Sequence, residues 1–357
     1  MSDFNLGLVL VAIAASANAA FALPMKFAKR WKWENIWLVW TLFALLLLPF
    51  ATALASIPFP GAVYRAAGAA PILAVMLCGA GWGCAQVLFG LSIDAIGVGL
   101  AFSIVLGVSA AVGSVIPLLH QQQSRAPNGQ LWLIVPGICL ALLGVIVCAA
   151  AGRAREKAQS GLVKTSKPFA VGLAMALLSG FCAAFMNVGV AYGAPLAMSA
   201  AAHGAGTQHV VNAIWLPLLA AGAVPNLVYC WYLLSKQGTW KNYRSPDTPF
   251  YVFLAAMMAI LWFFSTALYG TATGLLGNLG VVLGWPAFMS LIVLMAGFLG
   301  LLTGEWKHAG AKPILLQIAG MVILVLAVIA LSQLRTATGN GTANSGELRE
   351  TGAAHVR

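Results

Sequence analysis

Charge is what this sequence has least of. Asp, Glu, Lys and Arg make up 8% of its 357 residues, against about a quarter in soluble domains. A water-soluble fold so poor in charge could not cover its own surface. With 61% hydrophobic residues and a mean hydropathy of +0.92, the chain reads as an all-α integral membrane protein. Acidic residues are scarcest: Asp3, Glu34, Asp94, Glu156, Asp247, Glu305, Glu347 and Glu350 are the whole set. None falls in the middle of an apolar run, and neither does any Lys or Arg. An enzyme working inside the bilayer would need His, Asp or Glu spaced along one helix face, and the runs do not supply them. No nucleophile–base pair, phosphate-cradling glycine loop or metal motif is present, so no enzymatic activity, cofactor or metal is expected.

Cysteine is also sparse. Cys78, Cys84, Cys139, Cys148, Cys182 and Cys230 all lie in apolar runs, where thiols behave as small hydrophobes. No disulfide is expected. The net charge of +11 could point to nucleic acid, but the cations sit in short turns between apolar runs. No basic helix or basic patch interleaved with aromatics carries them, so the charge reads as membrane topology and no nucleic-acid partner is expected.

Ten apolar runs are present, near 6–23, 36–56, 71–90, 96–119, 131–151, 168–189, 209–234, 250–270, 286–303 and 313–333. Each reaches or approaches the roughly 20 residues a spanning helix needs. The first run has no basic stretch before it and reads as a retained span, not a cleaved signal peptide. The Ala- and Gly-rich stretch 190–208 suits a short interfacial or re-entrant segment. The turn PMKFAKRWKWENIW at 24–37 carries Lys26, Lys29, Arg30 and Lys32. Lys and Arg flanking short loops stay cytoplasmic. With the N-terminus outside, the turns 24–35, 91–95, 152–167, 235–249 and 304–312 face inward and hold 14 of the 19 Lys and Arg. Both termini are then outside.

The polar stretch 152–167 divides the runs five and five. The expected organisation is a first five-helix repeat at 1–151, a cytoplasmic linker at 152–167, a second five-helix repeat at 168–333 and a disordered polar tail at 334–357. An odd number of helices per half makes the two repeats inverted. Ala19-Ala20-Phe21 in the first run recurs as Ala183-Ala184-Phe185 in the sixth, although Ala-rich helices also match by chance.

The uncharged polar residues inside runs are Asn18, Gln86, Asn187 and Asn226. An amide both donates and accepts, which suits sugar hydroxyls, yet Asn and Gln also serve as glue between membrane helices. Trp82, Trp262 and Tyr269 could stack on a sugar ring, or belong to an interfacial belt. Asp94, in the turn between the third and fourth runs, is an N-cap of the fourth run or a proton carrier. Histidine is the side chain that switches charge near neutral pH, so His209, His203 and His120 could respond to a proton gradient, and the same residues suit a solvated interface. GxxxG spacing from Gly79 to Gly83 and from Gly300 to Gly304 predicts close helix packing. Pro217 and Pro225 predict a kinked seventh helix bordering a central cavity.

The basic turn, with Pro24, the cluster from Lys26 to Lys32, and Trp31, Trp33 and Glu34, resembles the first cytoplasmic turn of the bacterial L-rhamnose–proton symporter family. That family belongs to the drug/metabolite transporter superfamily. GAGWGCAQVLFGLSIDAIGVGL at 79–100, Phe185-Met186-Asn187, and GEWKHAG at 304–310 are similar to further family elements. LGNLGVVLGWPAF, before the ninth run, lacks the charge that the family carries there. The resemblance implies ten helices in the bacterial inner membrane and proton-driven sugar uptake. Combined with the residues above, it gives Asn18, Gln86, Asn187, Asn226 and Trp262 as substrate contacts, with Asp94 and His209 as coupling sites. A facilitator or exporter of another small polar metabolite is the alternative.

Overall fold

A computed structural model describes residues 3–96, 98–122, 134–160, 168–277, 280–302, 304, 306, 307 and 309–330. In chain order the helices are α1 (Asp3–Ala20), α2 (Trp33–Thr41), α3 (Leu48–Ser56), α4 (Pro60–Ala67), α5 (Ala69–Ile96), α6 (Val98–Gln122), α7 (Ile134–Ser160), α8 (Phe169–Ala183), α9 (Phe185–Tyr192), α10 (Ala194–Ala202), α11 (Asn212–Gln237), α12 (Thr248–Leu275) and α13 (Gly280–Leu302). The last is α14 (Ala311–Ala330). Helices are what such apolar runs must form, because lipid offers no partner for a backbone N–H or C=O. Nine helical stretches among the described residues are long and apolar enough to cross a bilayer. The 25-residue α6, whose described apolar part is Ile104–Pro117, makes a tenth candidate.

The helices are apolar on both faces. On α1, Val11, Ala14 and Ala15 are buried while Leu6, Val9 and Ile13 are exposed. Small residues face the bundle and large ones face outward, as expected where the solvent is itself a hydrocarbon. α1 lies on α12 and α13; α5 lies on α8 and α11; α6 lies on α7, α8 and α13; α2 contacts both α11 and α12. α14 closes against α7 and α13, with Gly144 beside Leu324, Gly320 beside Cys148, and Gly297 beside Gln317.

The Gly79–Gly83 spacing does bring helices together. Gly79 lies against the Leu218 backbone and Gly83 against the Gly222 backbone, so α5 and α11 touch main chain to main chain. The second GxxxG is different. Gly304 lies past the end of α13 with φ of 74°, a left-handed residue that stops the helix, so this spacing is not a packing face.

Four run boundaries differ from expectation. The second run is one span in three parts, because residues 42–47 form a π-helical turn between α2 and α3. Pro49 has no N–H to give the Leu45 carbonyl, and the register slips by one residue before it. The sixth run extends through Ala202 as α8, α9 and α10, so 190–208 continues a span where an interfacial piece was expected. Its break at Gly193 precedes Pro195, which cannot continue the ladder. α13 begins at Gly280, so VVLGWPAF is helix. α7 runs on to Ser160, so the polar stretch after 151 starts as helix. α11 keeps Pro217 and Pro225 inside one continuous helix and buries much of its surface. The stretch 161–167 and the tail after 330 lie outside the described residues.

Each end of the bundle gathers its own set of turns. At one end, Arg30 pairs with Asp247 at 3.0 Å, the Trp31 indole donates to the Asn242 carbonyl at 3.2 Å, and Arg155 lies 5.0 Å over the Trp306 ring. At the other, the Tyr64 hydroxyl donates to the Ala213 carbonyl, Ser199 to Val63, and Asn212 to Ser56.

Candidate functional site

The interior is organised around tryptophan. Trp33, Trp37 and Trp40 recur every three or four residues and share one face of α2. Trp33 stacks on Trp37 with centroids 5.1 Å apart, and Trp37 lies 4.3 Å from Trp40. Trp40 meets Trp262 of α12 edge-on at 5.3 Å. Trp262 stacks on Trp82 of α5 at 5.4 Å and 27°. Phe21, just past α1, lies 6.0 Å from Trp40. Three spans, α2, α5 and α12, thus meet at Trp262, which is 6% exposed.

The amides sort into two kinds. Asn187 is fully buried and donates to the Gly113 carbonyl at 2.8 Å and the Val281 carbonyl at 2.9 Å. Its Oδ1 accepts from the Tyr269 hydroxyl at 2.6 Å. Both donors are taken, and the residue ties α9 to α6, α12 and α13. Asn226 is also buried. Its Oδ1 accepts from the Trp37 indole at 3.0 Å, and its Nδ2 donates to the Gly222 and Gly83 carbonyls at 3.0 and 3.4 Å. It locks α11 to α2 and α5. Tyr269, read as a stacking candidate, is packed between Phe288 and Trp285.

Asn18 and Gln86 keep capacity. Asn18 is half-buried and donates to the Ser265 hydroxyl at 3.2 Å; its side-chain oxygen has no protein partner among the described residues. Gln86 is half-buried, one turn beyond Trp82 on α5, and its amide has none either. The same holds for the indole N–H groups of Trp82 and Trp262. Ser265 lies three residues on from Trp262 along α12. Asn18, Ser265, Trp262, Trp82 and Gln86 therefore form one aromatic-backed set with unsatisfied donors and acceptors. Such a set can hydrogen-bond a neutral hydroxylated solute while an indole covers its apolar side.

The two coupling candidates lie outside this set. His209 is exposed in the turn before α11. Asp94 sits in the last turn of α5, four residues before α6 begins at Val98, so it is not the N-cap of the fourth run. Its side chain, and that of His120, lie outside the described residues. His203 Nδ1 contacts the Ser199 carbonyl at 2.8 Å.

Two features escaped the sequence reading. The Trp37 and Trp40 column was legible from its spacing. The burial of Glu34, 3% exposed, was not. Its cover comes from Thr239, whose hydroxyl donates to Glu34 Oε1 at 2.7 Å, more than two hundred residues along the chain.

A polytopic helical membrane protein with an amide- and tryptophan-lined interior is the class that fold and site define. It is a transporter, not an enzyme, as its relatives show. The family description L-rhamnose-proton symport protein (RhaT) matches residues 1–336, and the chain belongs to that family. It is 28% identical over 332 residues to the L-rhamnose-proton symporter of Cronobacter sakazakii (strain ATCC BAA-894), covering 90% of this chain and 95% of that one. The L-rhamnose-proton symporter of Klebsiella pneumoniae (strain 342) is 27% identical, covering 90% and 96%. A solved structure titled "Crystal structure of protein" superposes with a TM-score of 0.56 at 11% identity, covering 95% of this chain and 99% of the other; this likeness concerns the fold.

Proposed function

We propose that this protein takes up L-rhamnose or a related monosaccharide together with protons by alternating access, in the bacterial inner membrane. One observation carries the reading. Asn18 bonds Ser265, one turn along α12 from Trp262, and Gln86 lies one turn along α5 from Trp82, so both flank the Trp262–Trp82 stack on helices from both halves of the chain. Asn18, Gln86 and Trp262 are the sugar contacts; Asn187 and Asn226 hold the helices that frame them. His209 and Asp94 remain coupling residues, one toward each face.

The halves are inverted five-helix repeats. Exchanging the first five spans for the last five turns the α1–α12 contact into the contact of α8 with α5. It turns α1–α13 into α8–α6, and α2–α12 into α11–α5. All of these contacts occur, and this supports a two-fold relation. The proposed division is 1–151 and 168–333, with the linker 152–167 between them. Both termini face outside, because the turns that meet through Arg30 and Asp247 and through Arg155 and Trp306 are the ones that carry most of the cations.

The decisive test is uptake of labelled L-rhamnose into vesicles holding the purified protein, with and without an imposed inside-alkaline pH gradient. Uptake accelerated by the gradient is expected. Uptake indifferent to it favours a facilitator, a reading that the uncharged start of α13 recommends. No uptake of any monosaccharide discards the proposal.

A further inference from the structure

We infer that Trp40 and Thr41, together with the Ala44 carbonyl, form a further sugar-binding element, built into the second span by its π-helical turn. The inference rests on the transport reading above and deepens it. It names another wall of the same site and the group held there, a neutral hydroxyl.

Two adjacent side chains on α2 differ from the rest of the interior. Trp40 and Thr41 are fully buried, yet neither the Trp40 indole N–H nor the Thr41 hydroxyl has a hydrogen-bond partner among the described residues. A buried donor left unpaired is costly. Helical Ser and Thr side chains can avoid the cost by donating to a carbonyl one turn back. Thr52 does so to Leu48, Ser114 to Ala110 and Thr266 to Trp262. Thr41 makes no such bond. Trp37, one turn before, gives its indole N–H to Asn226, whereas Trp40 gives its own to no described residue. Ser109, Trp215 and Ser290 also carry an orphaned group, but each stands singly on its helix.

The backbone adds an acceptor. An α-helical register would give the Ala44 carbonyl the Leu48 N–H, but that N–H reaches back to the Phe43 carbonyl. The π-helical donor would be Pro49, which has no N–H. Ala44 is fully buried, and its carbonyl is left with neither ladder donor. It follows Trp40 by four residues and Thr41 by three, so the three lie on one side of the helix. The turn at 42–47 occupies the middle of the span Trp33–Ser56. Interrupted helices at that depth bind solutes in transporters, and π-helical turns are frequent at functional sites.

The three groups select what they can hold. An indole N–H only donates, a carbonyl only accepts, and a threonine hydroxyl does both. A cation would be repelled by the indole N–H and an anion by the carbonyl. A neutral hydroxyl can accept from the first and donate to the second. The element also joins the set already described, because the Trp40 ring meets Trp262 edge-on. Asn18 and Gln86 address the solute from α1 and α5, and Trp40 and Thr41 address it from the second span. Both ends of the bundle are tied in this structure, through Asn35 and Asn242 at one and through Asn212 and Ser56 at the other. The element is reached when either tie opens.

Equilibrium binding of L-rhamnose and its monodeoxy analogues to the purified full-length protein in detergent tests this. Thr41→Val keeps the shape of the side chain and removes the hydroxyl. It should weaken L-rhamnose binding by about ten-fold and leave unchanged the binding of the one analogue that lacks the engaged hydroxyl. The thermal midpoint of the sugar-free protein should hold or rise, because an unpaired polar group has gone. Thr41→Ser restores most of the lost affinity. Trp40→Phe removes the indole N–H and should show a loss of the same selective kind, a check that stands even if Thr41→Val does not fold. Unchanged affinity in both variants overturns the inference, and a lowered midpoint beside it assigns a trapped water to these groups. A loss of equal size for every analogue also overturns it, since that marks a change of shape and not of contact. Wild-type protein that binds L-rhamnose no better than both variants sinks this element and leaves the transport reading standing. Wild-type protein that binds no monosaccharide sinks the transport reading, and the element with it.

Discussion

The Tyr269 hydroxyl donates to Asn187 Oδ1 across 2.6 Å, and both side chains are essentially sealed from solvent. This bond completes a node in which one amide joins four helices. Tyr269→Phe keeps the ring between Phe288 and Trp285 but leaves Asn187 Oδ1 buried without a donor. An unpaired buried acceptor costs roughly 1–3 kcal/mol. A lowered thermal midpoint in detergent is the expected outcome. Asn187→Ala, which also strands the Gly113 and Val281 carbonyls as acceptors, should lower it further. An unchanged midpoint in both variants would show that the node does not hold the bundle.

The α5–α11 contact makes a second, sharper prediction. A methyl at Gly83 would enter the Gly222 backbone, and one at Gly79 the Leu218 backbone, whereas a methyl at Gly90 meets nothing within 4 Å. Main chain cannot step aside as a flexible side chain can. Gly83→Ala should therefore destabilise by about 1–3 kcal/mol through overpacking. Gly90→Ala should leave stability unchanged or raise it by up to about 1 kcal/mol, since glycine is a poor helix former. Equal midpoints for the two variants would contradict the close approach.

The sorting of amides separates binding from folding. Gln86→Ala removes an amide that no group among the described residues uses, so it should weaken L-rhamnose counterflow by about ten-fold, the worth of one good hydrogen bond to substrate, with little change in thermal midpoint. Asn226→Ala strands the Trp37 indole and should lower the midpoint instead. Reversed results would exchange the two roles.

Alkaline pH probes the joint between residues 30–35 and 239–247. Burial raises the Tyr243 pKa from its ordinary 10.0 to about 12. The folded state thus holds the phenol proton more tightly than the unfolded chain does. The stability linked to it is complete below about pH 10 and drains away as pH rises toward 12. Tyr243→Phe should flatten that part of a stability-against-pH curve, while lowering the midpoint at neutral pH through loss of the bond to Asn35.

Much of the fold was legible because lipid leaves so few choices. Ten apolar runs had to be helices, and their number and order needed only composition. Their ends were less legible. The extension of the sixth run to Ala202 depended on how Pro195 interrupts a helix without ending a span, and the π-helical turn before Pro49 leaves no trace in an apolar count. In the site, residue type marked out Asn18, Gln86 and Trp262, but it could not distinguish them from Asn187 and Asn226. That difference lies in whether Tyr269 or Trp37, far along the chain, already occupies the amide. Glu34 was read as a turn residue for the same reason: Thr239, far along the chain, covers it, which no local pattern announces.

Orientation is the prediction on which the direction of transport depends. The bundle end that holds Lys29 also holds Lys241 and Arg244, and the end that holds Arg65 has no other Lys or Arg among the described residues. The positive-inside bias then puts Lys29 in the cytoplasm and Arg65 outside. Single cysteines at Lys29, Lys157 and Arg65, in a background lacking the six native ones, can be offered a membrane-impermeant thiol reagent in intact cells. Arg65→Cys should be labelled at once, whereas Lys29→Cys and Lys157→Cys should be labelled only after the membrane is opened. Labelling of Lys29→Cys from outside would invert the whole bundle. Labelling of Lys157→Cys alone would leave the first hairpin in place but change the number of crossings between Lys29 and Lys157, and with it the antiparallel relation of the halves.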